Sequence, residues 1–353
     1  PIRDYSPRPI AVTAPSISAN ELELKERRGN STIDFVRQIL TSTQGVLFLI
    51  VAVLWMYLAN ASDVFWSNRN IGTLLSTVSL VAMTAIGMTL LIIAREVDLS
   101  VGSMQAFIGV IAMQELNRHE SLLLGLLFAL AVGAVIGLIN AGLTLWLGIS
   151  SFVVTLGMLS IIRGAAYTTT SAAVQNDHKL SSFKQVFNGA FITEPIRIPW
   201  PVVVLAVVFT IFTLLLTRTT FGRYVYAVGG NPKAAALAGI PVNKVKVACF
   251  VLTSMLASLS AFMLIARMNS GQNNAGFGFE LQVIGAVLLG GASLAGGKGT
   301  LVGTLFAALL LGTLNNGITL LGYNPNWQTA IPGIVILAAI FFDSVRRRAT
   351  HED

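Results

Sequence analysis

The chain has 353 residues, 54% of them apolar and only 11% charged, with a formal net charge of +7 and a mean hydropathy of +0.74. Soluble domains carry roughly 25% charged residues, so a water-soluble globular fold is excluded. The basic excess flanks apolar runs instead of lining one face, which excludes nucleic-acid binding, and Cys249 with the dispersed His119, His178 and His351 supplies neither a disulfide frame nor a metal cluster.

Residues 1–44 mix both charge signs and include Pro7, Pro9 and Pro15. They lack the basic stretch, apolar run and cleavage site of a signal peptide and read as a partly disordered cytoplasmic arm. Beyond it, apolar runs predict helices over 45–61, 72–94, 102–116, 121–147, 152–168, 201–217, 246–266, 281–292, 300–322 and 328–343. About 20 helical residues cross a hydrocarbon layer, so the prediction is an all-α integral membrane protein of about ten transmembrane helices over 45–345, with a short tail over 346–353. The Lys and Arg concentrate in the arm, in 218–246 and at Arg346, Arg347 and Arg348, which places both termini inside the cell.

After the second helix stand Arg95, Glu96, Asp98 and Ser100. At a helix end these groups pair with one another or cap the next helix; a proton-coupling carboxylate is the sharper alternative. Within the spans the polar groups are mostly uncharged, among them Asn140, Thr144, Thr155, Gln282, Thr304, Thr313, Asn315, Asn316 and Gln328. Such a set suits a neutral hydroxylated solute, and equally suits helix-to-helix bonding beside Gly133, Gly137 and Gly142. No acid stands clearly inside a span, which argues against an ion-coupled secondary transporter.

The loop over 218–246 carries a complete short helix. Asn231 is a good N-cap, Pro232 fits the first turn, and Gly239 before Ile240 and Pro241 ends it. Its body over 233–238 is almost all Ala and Leu, too short and too apolar to stand alone in water, so either its own membrane domain, the lipid surface or a cytoplasmic partner covers it. Phe221, Tyr224 and Tyr226 would anchor its base. The Gly-rich stretch from Gly290 to Thr300 is no phosphate loop, since Ala292 and Gly299 break the required spacing; it reads as a tight reversal. Ile86–Ser103 weakly echoes Ile284–Thr300, which suggests a duplication.

Five ordered stretches then carry a family resemblance: Arg95–Ser103 (REVDLSVGS), Ser151–Gly157 (SFVVTLG) with Arg163 and Gly164, Gly222–Asn231 (GRYVYAVGGN), Leu289–Gly299 (LGGASLAGGKG), and Asn315–Gly322 (NNGITLLG) with Trp327 and Gln328. Together, over about 45–345, they resemble the permeases of ribose-type ABC sugar importers, whose fold type is shared with vitamin B12 importers. The resemblance implies a permease that works as a pair, a homodimer ahead of a heterodimer. It further implies an ATPase subunit with two nucleotide-binding halves, which holds the ATP and Mg, and a periplasmic or surface-tethered solute-binding protein. It makes Asn231, Pro232, Lys233, Ala234, Ala235, Ala236, Leu237, Ala238 and Gly239 the coupling helix seated in the ATPase. Lys233 stands where many relatives carry Glu and Ala236 where many carry Arg, Ala292 replaces a common Thr, and Ser150 a common Pro.

The expected function is import of a monosaccharide or sugar-like solute by alternating access in a bacterial inner membrane. No catalytic residue, metal ligand or cofactor is expected in this chain. Asn140, Thr155, Gln282 and Asn315 are the candidates for the translocation path, because hydrogen-bonding groups at membrane depth need a polar partner or a wet cavity. The competing readings are an ion-coupled transporter, a membrane enzyme, for which the three His are too scattered, and a channel.

Overall fold

The computed structural model describes residues 42–175, 189–192 and 198–349, so the predicted arm lies almost wholly outside the described residues. Each of the ten apolar runs becomes helix. In chain order these are α1 (Thr43–Ala61), α2 (Asn68–Ile93), α3 (Val101–His119), α4 (Leu122–Leu145), α5 (Ser151–Thr169), α6 (Trp200–Arg218), α7 (Thr220–Gly230), α8 (Pro232–Leu237), α9 (Val242–Met268), α10 (Phe279–Leu289), α11 (Leu301–Leu320) and α12 (Trp327–Ala349). Seven of them, α1, α2, α4, α5, α6, α9 and α11, are long and apolar enough to cross a membrane. α10 is too short to cross alone, with 11 residues against the roughly 20 required.

Polar caps set where these helices begin. The side chains of Ser42, Ser67, Ser121, Thr219, Asn231 and Thr300 each accept a backbone N–H of the first turn, a contribution of about 1 kcal/mol apiece. Lipid tails are as apolar as leucine, so helices associate in the bilayer by close van der Waals packing and hydrogen bonds. α4 meets α9 in this way: a side chain at Gly133 would strike Ser258 and the Ser254 carbonyl, and one at Gly137 would strike the Phe250 carbonyl. α2 and α9 form the buried centre, and between them they pack against α3, α4, α6 and α11. Outside this core α1 turns Phe48, Val53, Met56 and Tyr57 outward, as a lipid-facing helix does.

Two short antiparallel pairs close the ends away from α8. β1 (Val174–Gln175) pairs with β4 (Ser270–Gly271), and β2 (Ala190–Ile192) with β3 (Ile198–Pro199). The loop over 218–246 differs from the sequence reading in holding two helices. α7 precedes α8 because Thr219 caps a segment whose Gly222, Val225, Val228 and Gly229 bury one side. Nothing after Pro241 stops a helix, so α9 starts at Val242 and takes in Lys246. α12 continues to Ala349, so the first residues of the predicted tail extend the last helix.

Candidate coupling site and solute path

α8 forms where its local signals place it. Asn231 Oδ1 accepts from Lys233 N and Ala234 N, both at 3.1 Å, Pro232 occupies the first turn, and Gly239 turns left-handed at φ +81°. Ala235 is buried against the protein, while Leu237 is 91% exposed between exposed Ala236 and Ala238. Among the described residues nothing covers this apolar tip.

The base of α8 is bolted to the bundle. Arg95 donates from Nε to Gly229 O at 2.6 Å and from Nη2 to Gly230 O at 2.9 Å, a cation on the negative end of α7. The Arg95 backbone is left-handed, φ 67°, which costs about 1–2 kcal/mol; two charge-assisted bonds offset it. A side chain at Gly229 would collide with Ile93 O and Gly297 N. Gly297 N donates to Ile93 O at 2.9 Å and Tyr226 Oη to Gly299 O at 2.8 Å. Burial pushes the Tyr226 phenol above its ordinary range, so it remains a donor. The end of α2, the α7–α8 elbow and the Gly-rich turn thus meet backbone to backbone, and the two echoing sequence segments touch there.

Of the four polar residues after α2, Asp98 and Ser100 pair with one another and the other two reach different helices. Arg95 holds α7, Glu96 forms an ion pair with Lys246 of α9, and Val97 N donates to Ser151 Oγ at the start of α5 at 3.2 Å. Asp98, fully buried, accepts on Oδ1 from Ser100 N at 2.8 Å and from Ser100 Oγ at 2.6 Å, while its Oδ2 accepts from Asn140 Nδ2 of α4 at 3.2 Å. Consecutive residues of one short segment therefore each grip a different helix.

A second polar region lies deeper. β4 starts near the outer end of α9, and the chain then runs down α3: Gly271 touches Gly109 and Val110, and Gly276 touches Gly102 and Gln105. α10 begins only at Phe279. Its 11 residues give about 16 Å of helix at 1.5 Å per residue, half of a ~30 Å hydrocarbon layer, before the Gly-rich turn that adjoins α8. Arg163, about 18 Å along α5 from Ser151, donates from Nη1 to Ala275 O at 2.5 Å and from Nη2 to Gly276 O at 3.2 Å. Glu280 packs against Gly102, its Oε2 buried with no hydrogen bond. By helix length Arg163 and Glu280 stand part-way along the spans, Glu280 one residue before the run expected over 281–292. The signal was available: the run over 281–292 is too short to cross and follows Gly271, Gly276 and Gly278.

Towards the other end a cavity of about 430 Å³ opens between α2, α11 and α12, lined by Asn70, Thr73, Thr77, Asn315, Asn316 and Gln328 among others. Asn316 Nδ2 donates to Asn70 Oδ1 at 2.7 Å. The structure does not gather the four path candidates into one place. Asn140 is held by Asp98 and Ser100, and Thr155 bonds back to Ser151 O at 2.7 Å and reaches Val97 O. Gln282 lies in the first turns of α10 beside Glu280, and Asn315 lines the outer cavity with its Oδ1 unpaired.

The bundle thus carries one exposed apolar helix whose base is tied to its central span. Residues 70–340 match the family model described as branched-chain amino acid transport system / permease component. The chain belongs to this permease family. It is 37% identical to the ribose import permease protein RbsC of Escherichia coli K12 over 313 residues, 89% of this chain and 97% of that protein. It is 36% identical to the L-arabinose ABC transporter permease AraH of Azospirillum brasilense over 304 residues, 85% and 87% of the two chains. With RbsC of Bacillus subtilis it shares 35% over 328 residues, 93% and 98%. No solved structure matches the chain. It is thus a multi-pass permease subunit of a ribose-type ABC importer, a transport component and not an enzyme. An importer of this kind has a separate ATPase subunit and a solute-binding protein.

Proposed function

We propose that the permease passes a monosaccharide or sugar-like solute into the cytoplasm by alternating access, and that Asn231–Gly239 is the element through which the ATPase drives it. The observation that carries this reading is Leu237, 91% exposed at the tip of a capped helix whose base is anchored by Arg95. An apolar tip on the cytoplasmic side of a membrane protein fits a groove in a soluble partner, and its rigid root passes displacement to α2. The relatives named for ribose and arabinose support the solute class.

In the membrane, two copies of this chain pair as a homodimer in a bacterial inner membrane, with both termini inside, consistent with the Lys and Arg distribution. Gln282 and Asn315 serve the path, while Asn140 and Thr155 steady the segment over 94–100 that the ATPase stroke moves. Transport needs only weak polar contacts, since tight holding would slow release.

The test is ATP hydrolysis by this chain reconstituted with its ATPase, with and without solute-loaded binding protein, comparing wild type with Leu237→Asp. Stimulation by the loaded binding protein in wild type, and its loss in a folded Leu237→Asp variant, is expected. Failure of the chain to bind any ATPase, with solute flux that follows an ion gradient, would replace this reading with a secondary transporter.

A further inference from the structure

The face built by α5, residues 272–278 and the start of α10 is open, and beside exposed apolar side chains such as Val153 and Ile161 it carries polar and irregular features. Four features mark it. Its backbone between β4 and α10 is irregular at membrane depth, which is tolerated only inside protein or along a water-filled cavity. Arg163 and Glu280 stand on it near mid-depth, where an ionised group facing hydrocarbon is expensive. On α5, Gly157 and Gly164 have only open space beside them. Finally, Phe277, in the irregular segment three residues before Glu280, is 84% exposed.

We propose that this face is the wet wall of the solute path at mid-membrane, and that Glu280 and Phe277 contact a neutral, polyhydroxylated solute there. The inference rests on the importer reading above and names the site where the solute is met. With Oε2 of Glu280 turned in against Gly102, its Oε1 is the oxygen left to accept a solute hydroxyl, and an aromatic ring stacks on the C–H face of a sugar ring. Arg163 is a positioning residue: its bonds to Ala275 O and Gly276 O fix the segment that presents Phe277. The single native cysteine, Cys249, is fully buried, so the wild-type chain is a natural blank for thiol labelling.

Phe277→Cys, Gly164→Cys and the lipid-facing Val53→Cys are treated in membrane vesicles with a charged, membrane-impermeant methanethiosulfonate and, separately, with a lipid-soluble maleimide. The charged reagent is expected to modify Phe277→Cys and Gly164→Cys but not Val53→Cys. Modification confined to the maleimide at all three positions would overturn the wet face. This labelling is independent of the ATPase, so its failure is distinguishable from failure of the coupling reading. In the assembled importer, Glu280→Gln, present in the membrane at wild-type level, is expected to import sugars from a panel that includes D-ribose and L-arabinose at least tenfold more slowly. Unchanged import by Glu280→Gln and by thiol-modified Phe277→Cys would overturn the contact role.

Discussion

α8 and the descending segment before α10 are both short, both rich in small residues and both exposed at their tips, yet they are specified in opposite ways. α8 is held by groups within it or beside it: Asn231 caps it, Pro232 starts it, and Gly239 ends it. Residues 272–278 have little local structure of their own, and a guanidinium from α5 and the close faces of Gly102 and Gln105 hold them in place. The lesson is that a locally specified element and one held by distant helices tolerate different changes. Substitution in α8 should alter function with little effect on folding, and substitution around 272–280 should do both.

The largest expected effect sharpens that contrast. Arg163→Ala leaves Ala275 O and Gly276 O without their donor, and with charged hydrogen bonds worth about 1.5–3 kcal/mol each the loss should be near 3 kcal/mol, read as a lower midpoint of thermal unfolding in detergent. Gly276→Ala comes next, at about 2 kcal/mol: φ is +68° there and the added methyl meets Gly102 O and Gln105. Asn231→Ala removes a cap and should cost about 1 kcal/mol, with Asn231→Asp restoring most of it in the same melt. Smallest in stability is Leu237→Asp, expected to shift unfolding by less than about 0.5 kcal/mol because the side chain is almost wholly exposed. A melt in which Leu237→Asp destabilised more than Arg163→Ala would break the comparison.

Sequence reading found α8 to within a residue or two because its signals are contiguous. It missed α7, whose turn pattern hides in Phe221–Val228 until Gly229 is seen against Ile93 O. It expected Arg95, Glu96, Asp98 and Ser100 to pair with one another or cap the next helix, and only Asp98 and Ser100 pair; spacing along a chain says nothing about the separate destinations in α7, α9 and α4. Glu280 was passed over for the same reason: its depth follows from the path of the chain before it.

By itself, the sequence determined the solvent. Composition and unbroken apolar runs demand a bilayer, and with the family motifs they establish a helical import permease, because hydrophobicity, caps and Gly or Pro punctuation act over a few residues. Only the tertiary structure decided which polar groups meet. That Arg95 secures the α7–α8 elbow, that Asn140 serves Asp98, and that Arg163 holds the segment before α10 are outcomes of how helices distant in the chain pack. In lipid that packing depends on backbone approach at small residues such as Gly102, Gly133 and Gly229, where hydropathy carries no information about the partner.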